Sequence, residues 1–366
     1  MSRTSRCCTF ARDEVGVYHA FNRTVRRSYL HGVDPLTGID YGYRRERFRQ
    51  RMQFLAQRFC IDVLAFAIIP NHWHCVLRNR PDLVRALSDR QVAVRWLSLT
   101  SRKRCQNKLG GEIQGSEITQ ITSDPSRVAE LRLRLSDISW FIRLMCQTIA
   151  RECNLEDECT GRFFEERFKL KRLEDEPAVL ACMAYVDLNP LRAGLADSLD
   201  DYSEVSIGER LRTLSGGVPD TSEWLAPLEL ASEVVAQPLN PVAENSSKTD
   251  VGSANRTEIL TRLGCLPMAL EAYERLLWQL ALESRPELQA SEMLTKDKLQ
   301  TPIYLDGKEV NVLELQERHR RYSRRCQTQL GQHACRAVRA RLAAQRQVAQ
   351  QPVSPSVTRT PLSERL

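Results

Sequence analysis

No stretch of this 366-residue sequence approaches the roughly 20 consecutive apolar residues that a bilayer-spanning helix requires. The N-terminus carries Arg3, Arg6, Arg12, Asp13 and Glu14 and has no apolar run of the secretory kind. Both absences lead to the expectation of a cytoplasmic chain that makes no membrane contact. None of the twelve cysteines forms a CxxC pair, which removes the usual zinc-knuckle and dithiol signatures. Scattered through apolar runs, they read as small buried hydrophobes, and in a reducing compartment no structural disulfide is expected. Cys7 and Cys8 adjoin, but nothing nearby completes a metal site. Internal repeats are absent, and so is lysine from the first 100 residues.

What is there is ordinary globular composition. Hydrophobic residues make up 42% and charged residues 27%, which excludes a wholly disordered, collagen-like or coiled-coil chain. The length suits one domain of about 200 residues with a smaller second unit. The net charge of +7 is unevenly spread. Residues 1–100 hold 17 Arg against 8 acids, and nine more arginines with no acid lie between Arg318 and Arg346, so two blocks of +9 flank a remainder of −11. Such runs are either solvated helix faces or phosphate-binding surfaces, since the planar guanidinium fork suits phosphate oxygens.

The pattern along the chain predicts a strand within residues 15–30 and, after a Gly/Asp/Pro-marked loop, an amphipathic helix over 44–60 with Phe48, Met52, Leu55 and Phe59 inward and a basic outer face. Residues 61–69 and 72–78 read as two strands joined at Pro70-Asn71. A helix is expected near 82–98, an inserted loop at about 99–127, a long helix over 127–153 and a strand within 161–173. Asp175-Glu176-Pro177 is a helix-start signature, and Pro190 marks the approximate end of that helix. Residues 1–210 are read as one domain, 211–256 as extension and linker, 257–345 as a helical, basic C-terminal unit, and 346–366 as a disordered tail.

The sharpest chemical signal is PNHWHCVLRN. On a strand, His72 and His74 project from one face and can reach one point in space, which is metal-ligand geometry, although chance pairing gives the same spacing. Trp73 faces the other way and reads as core. Tyr185 and Asn189, four apart, share a face near the end of the helix that starts at Asp175; they read either as partners of the histidines or as a core tyrosine and a helix-ending Asn-Pro.

HWHCVL after Pro-Asn, followed by AYVDLNPLRAGL, resembles the HUH-class single-tyrosine transposases, specifically the REP-associated tyrosine transposase branch. NRTVRRSYL (22–30) and GRFFEERFK (161–169) extend the resemblance, which covers residues 15 to about 210. It implies that His72 and His74 hold a divalent cation, Mg²⁺ or Mn²⁺, and that Tyr185 is the nucleophile, with Asn189 as a third ligand or polar group of the site. Two imidazoles suit Mn²⁺ better than the oxygen-seeking Mg²⁺. It further implies cleavage and rejoining of single-stranded or hairpin DNA through a 5′-phosphotyrosine, with phosphates contacted by Arg23, Arg26, Arg27 and Arg78. A homodimer is compatible with it.

The extra length between the histidines and Tyr185, and the last 150 or so residues, have no counterpart in the resemblance. Tyr322, Trp278 and His319 there read as packing or surface residues. The fold expected is α+β: a mostly antiparallel, ferredoxin-like sheet of four to five strands with flanking helices, plus a helical C-terminal unit. Against a metal-dependent transposase stand two rivals. One is a catalytically inactive, basic RRM-like nucleic-acid-binding protein, and the other a metal hydrolase without a covalent step.

Overall fold

The computed structural model describes residues 10–34, 38–100, 113–214, 224–229, 262, 264–290 and 301–330. Its centre is a four-stranded antiparallel sheet of β1 (Gly16–Arg23), β2 (Ile61–Ile69), β3 (His72–Asn79) and β4 (Lys169–Leu173), in the order β2-β3-β1-β4. Strand β3 lies between β1 and β2, while β1 lies between β3 and β4. These are the two interlocked split βαβ units of a ferredoxin-like sheet. The fold is therefore α+β, as the alternation of strand and helix patterns implies.

Period-two alternation sorts each strand onto two layers. Tyr18 and Ala20 of β1 and Trp73, Cys75 and Leu77 of β3 face α1 (Tyr43–Ala56) and α6 (Ile138–Glu156), in a core that includes Phe48, Met52, Leu55, Phe59 and Phe141. Trp73 is fully buried there. The opposite face receives α7 (Glu176–Asp187), the helix that begins at Asp175, whose carboxylate accepts from the Ala178 N–H at 2.6 Å. Pro190 then opens α8 (Asn189–Ala193), because its missing N–H and fixed φ suit a first turn.

Between β3 and β4 the chain is more helical than its pattern suggests. The expected 82–98 helix is two, α2 (Pro81–Ala86) and α3 (Asp89–Thr100). The stretch expected as an inserted loop, about 99–127, contains α4 (Gly115–Thr122) and the start of α5 (Pro125–Leu135); residues 101–112 lie outside the described residues. Gln114 and Glu117 form a capping box on α4, and Asp124 caps α5. The expected 127–153 helix is broken at Ser136-Asp137, where Asp137 accepts from Ser139 N–H at 2.7 Å and starts α6 afresh. Within 161–173 only Lys169–Leu173 is strand, with Phe164 bridging to Thr24. The outer face of α1 is less basic than expected, because Arg44 turns inward to Glu156 and Asp157.

The C-terminal region is helical and packs on the α7 side of the sheet. α9 (Ser206–Leu214), α10 (Leu270–Ser284) and α11 (Val312–Leu330) share one apolar core with α7, and a short hairpin, β5 (Tyr304–Leu305) and β6 (Lys308–Glu309), precedes α11. Asp187, fully buried at the end of α7, binds these elements together by accepting from the Ser206 hydroxyl, the Ile207 N–H (2.9 Å) and the Tyr273 hydroxyl (2.7 Å). Much of the expected 211–256 linker and the whole 346–366 tail fall outside the described residues, while Trp224 and Leu225 pack on the α1 side. No helix among the described residues is long and apolar enough to cross a membrane. Every cysteine among the described residues is free, and most are buried.

Candidate active site

Strand register assembles the site. His72 and His74 leave β3 toward α7, with ring centroids 5.1 Å apart and planes nearly perpendicular. On the neighbouring strand Phe21 pairs with His74 and His19 with Val76, so His19 stands diagonally beside His74 on the same face. Directly across from His19 on β4 is Lys171. The helix α7 lowers Tyr185 onto this row, its ring edge-on to His74 at 5.3 Å.

The hydrogen bonds decide which imidazole nitrogens are bare. His72 Nδ1–H donates to the Asn71 side-chain carbonyl at 2.7 Å, and since that oxygen only accepts, the His72 proton lies on Nδ1. Its Nε2 is buried and has no partner among the described residues, and the same is true of Nε2 of His74. The other nitrogen of His74, Nδ1, lies 3.0 Å from His19 Nε2, and His19 Nδ1 lies 2.6 Å from the Tyr322 hydroxyl. Burial, reinforced by the Arg23 charge, lowers the His72 pKa to about 3. Burial and then Lys171 do the same for His19, and burial with the two neighbouring imidazoles takes His74 well below its ordinary value. All three are neutral at physiological pH, the state in which imidazole offers a lone pair.

Helix α11 completes the enclosure. Tyr322 sits 5.7 Å from the Tyr185 ring, with the Lys171 ammonium 4.6 Å over its face. Both hydroxyls meet the Cys326 thiol, which burial pushes up to about 12. Arg192 of α8 donates to Ser323 of α11 at 2.9 Å. Tyr185 is 3% exposed and His74 0%, so the site is closed beneath α11. Tyr322, taken from sequence as a packing or surface residue, belongs to the site; His19 was not singled out at all. Alternation alone puts His19 on one face of β1, but only the β1–β3 register reveals that it is the histidines' face.

No family model and no curated protein matches the chain. Among solved structures it is similar to a REP-associated tyrosine transposase bound to a REP hairpin, at 13% identity and a TM-score of 0.34, over 58% of this chain and 86% of the other. A likeness that loose carries no weight for chemistry. The site must speak through its own residues.

As a donor set for a cation, the site is half complete. Among the described residues no three His, Cys, Asp or Glu side chains surround a common point. Two buried imidazole nitrogens without a partner among the described residues, on one strand face, nevertheless fit a divalent ion that takes its remaining ligands from a substrate or from water. Asn189, 6% exposed, opens α8 one turn beyond Tyr185.

The four arginines expected at phosphates are dispersed. Arg78 pairs with Asp62 (2.7 Å) and donates to the Gly264 carbonyl (2.9 Å), in a buried cluster with Arg80 and Arg262. A buried aspartate needs those partners more than a nucleic acid does. Arg23 pairs with Glu165 beside a cleft lined by Phe21, Asn22 and Lys169. Arg26 is exposed, with φ of 52° in the 3-10 turn Val25–Arg27. The side chain of Arg27 lies outside the described residues. Sequence reasoning missed Lys169 and Lys171, two apart on the exposed edge strand next to the histidines.

Proposed function

We propose that the chain is a metal-dependent DNA transposase or endonuclease that cleaves and rejoins single-stranded or hairpin DNA through a 5′-phosphotyrosine on Tyr185. The observation that carries the reading is the meeting of the Tyr185 phenol, 5.3 Å ring to ring, with a histidine whose buried Nε2 has no partner among the described residues, as is also true of His72. A phenol is a weak nucleophile near neutral pH, and nothing in a purely packing tyrosine calls for bare imidazole nitrogens beside it.

His72 and His74 would hold the cation, with Asn189 as a further polar group. When bound, such an ion withdraws charge from a scissile phosphodiester. The chain's own residues do the rest. The Tyr185 oxygen attacks phosphorus; the P–Oη bond forms as the P–O3′ bond breaks, the phenol gives up its proton, and the departing 3′ oxygen is protonated. The 5′ end stays esterified to the enzyme, so a second 3′-hydroxyl can reverse the step without an external energy source. Lys171 sets a positive charge beside the two tyrosines. Because Tyr322 and Cys326 enclose Tyr185, the phosphodiester reaches the phenol only when the site opens.

That closure also favours the second reading, a basic nucleic-acid-binding protein without turnover. Incubating the full chain with end-labelled hairpin DNA and Mn²⁺, then denaturing, separates the two. A covalent protein–DNA adduct that disappears in Tyr185→Phe is expected. DNA retention without an adduct would favour the binding protein, and free cleaved ends with no adduct would indicate direct hydrolysis.

A further inference from the structure

His74 has one ring nitrogen with a partner and one without. The partner, His19, is itself bonded at both nitrogens, so Tyr322 Oη, His19 and His74 form one chain with two proton arrangements. In the first, the Tyr322 hydroxyl donates to His19 Nδ1, His19 Nε2–H donates to His74 Nδ1, and the His74 proton sits on Nε2, pointing at nothing. In the second, His74 Nδ1–H donates to His19 Nε2, His19 Nδ1–H donates to the Tyr322 oxygen, and the tyrosine hydroxyl turns its proton away from His19, toward the side where the buried thiols of Cys182 and Cys326 are its neighbours.

His74 Nε2 is unsatisfied in both arrangements, as a donor in the first and as an acceptor in the second, and only the second leaves a lone pair there for a ligand to use. The second also makes the two histidines alike. Asn71 holds the His72 proton on Nδ1 through a carbonyl, and His19 holds the His74 proton on Nδ1 through a ring nitrogen, so both leave a buried Nε2 without a proton. An outer partner on the remaining N–H is what fixes ring orientation and tautomer in imidazole ligands generally.

We propose that His19 and Tyr322 are positioning residues, one from the first strand and one from the C-terminal helix, that lock His74 in the tautomer whose Nε2 can take a divalent cation. His19 is not itself a ligand, since both of its nitrogens are occupied within the chain. The proposal rests on the cation-binding reading above but is separable from it, because the tautomer exists with or without an ion. It also gives the C-terminal helix a part in assembling the site.

The test has two arms on the full-length chain at constant pH. In the metal-free protein, ¹⁵N shifts of the His74 ring report its tautomer: Nδ1–H is expected in the wild type, with a shift toward Nε2–H in His19→Leu. A wild-type His74 that carries its proton on Nε2 overturns the proposal, whatever becomes of the transposase reading. In the second arm, Mn²⁺ titrated without DNA and followed by electron paramagnetic resonance should bind His19→Leu about 10- to 100-fold more weakly than wild type. His19→Gln, which restores an accepting oxygen, should recover part of the loss. Hairpin-DNA affinity in EDTA serves as the structural control and should be unchanged in both variants. Equal Mn²⁺ affinity in all three proteins overturns the positioning role. Absence of any Mn²⁺ binding, with His74 protonated on Nδ1, leaves the positioning role standing and removes the metal-dependent function instead. Should His19→Leu fail to fold, His19→Gln and the wild-type spectrum decide.

Discussion

His31 is fully buried, with neither ring nitrogen partnered among the described residues, edge-on to Phe48 at 5.7 Å and Phe163 at 5.2 Å. Burial, with the charges of Arg44 and Arg45 second, lowers its pKa from 6.5 to about 3. Between those values the unfolded chain holds a proton on this ring that the folded chain refuses. Its contribution to stability is therefore whole above pH 6.5 and is lost on acidification, at up to about 1.4 kcal/mol per pH unit until about pH 3. Urea midpoints of wild type and His31→Phe, compared at pH 7.5, 6 and 5, should diverge, with the variant losing less on acidification. Parallel pH curves would show that the ring is hydrated or paired in solution. Sequence gives no warning of this residue, because a histidine in a turn ordinarily meets water.

At the scale of elements, legibility followed the range of the interaction. Strands β2 and β3, helix α1 and the start of α7 are written in local periods and caps, so Phe48, Met52, Leu55 and Phe59 could be placed inward before any tertiary contact was known. The common face of His72 and His74 is equally local. The breaks at Ser136-Asp137 and Leu87-Ser88 were masked by an apolar period that continues across them, although Asp124-Pro125 and Asp137 repeat the cap chemistry that marked Asp175. His19 and Tyr322 required a strand register and a helix docking far along the chain, which no local pattern encodes. The cap of α7 is testable in its own right, since Asp175 orders the turn that leads to Tyr185 and also meets Arg318 of α11. Asp175→Ala should cost about 1 kcal/mol in urea unfolding, and Asp175→Ser much less. Equal losses would assign the effect to the exposed ion pair, which serine abolishes as fully as alanine does.

Over the whole molecule, the two basic blocks and the acidic remainder turn out to be complementary. Arg23 is matched by Glu165, Arg44 by Glu156 and Asp157, and Arg49 by Glu209; from the second block Arg318 meets Asp175 and Arg320 meets Glu283, while Arg78 finds Asp62 within its own block. Part of a charge count read as a phosphate surface is thus spent on joining helices to one another and strands to their neighbours. The cations best placed for a nucleic acid are instead on the edge strand, where Lys169 and Lys171 are exposed beside Phe21 and Tyr322. Each phosphate neutralised lowers the slope of log K against log salt by about 0.7 to 0.9. Hairpin-DNA binding measured across a salt series should therefore show a slope shallower by roughly 1.5 in the Lys169→Ala, Lys171→Ala double variant. Arg78→Ala is the contrasting case. It should leave the slope where it is and lower stability by about 1–3 kcal/mol, because Asp62, 2% exposed, would keep its burial and lose a charged partner. If Arg78 moved the slope and the lysines did not, the nucleic acid would lie along the opposite end of β3, away from His72 and His74, and the choice of the edge strand as the nucleic-acid surface would fall.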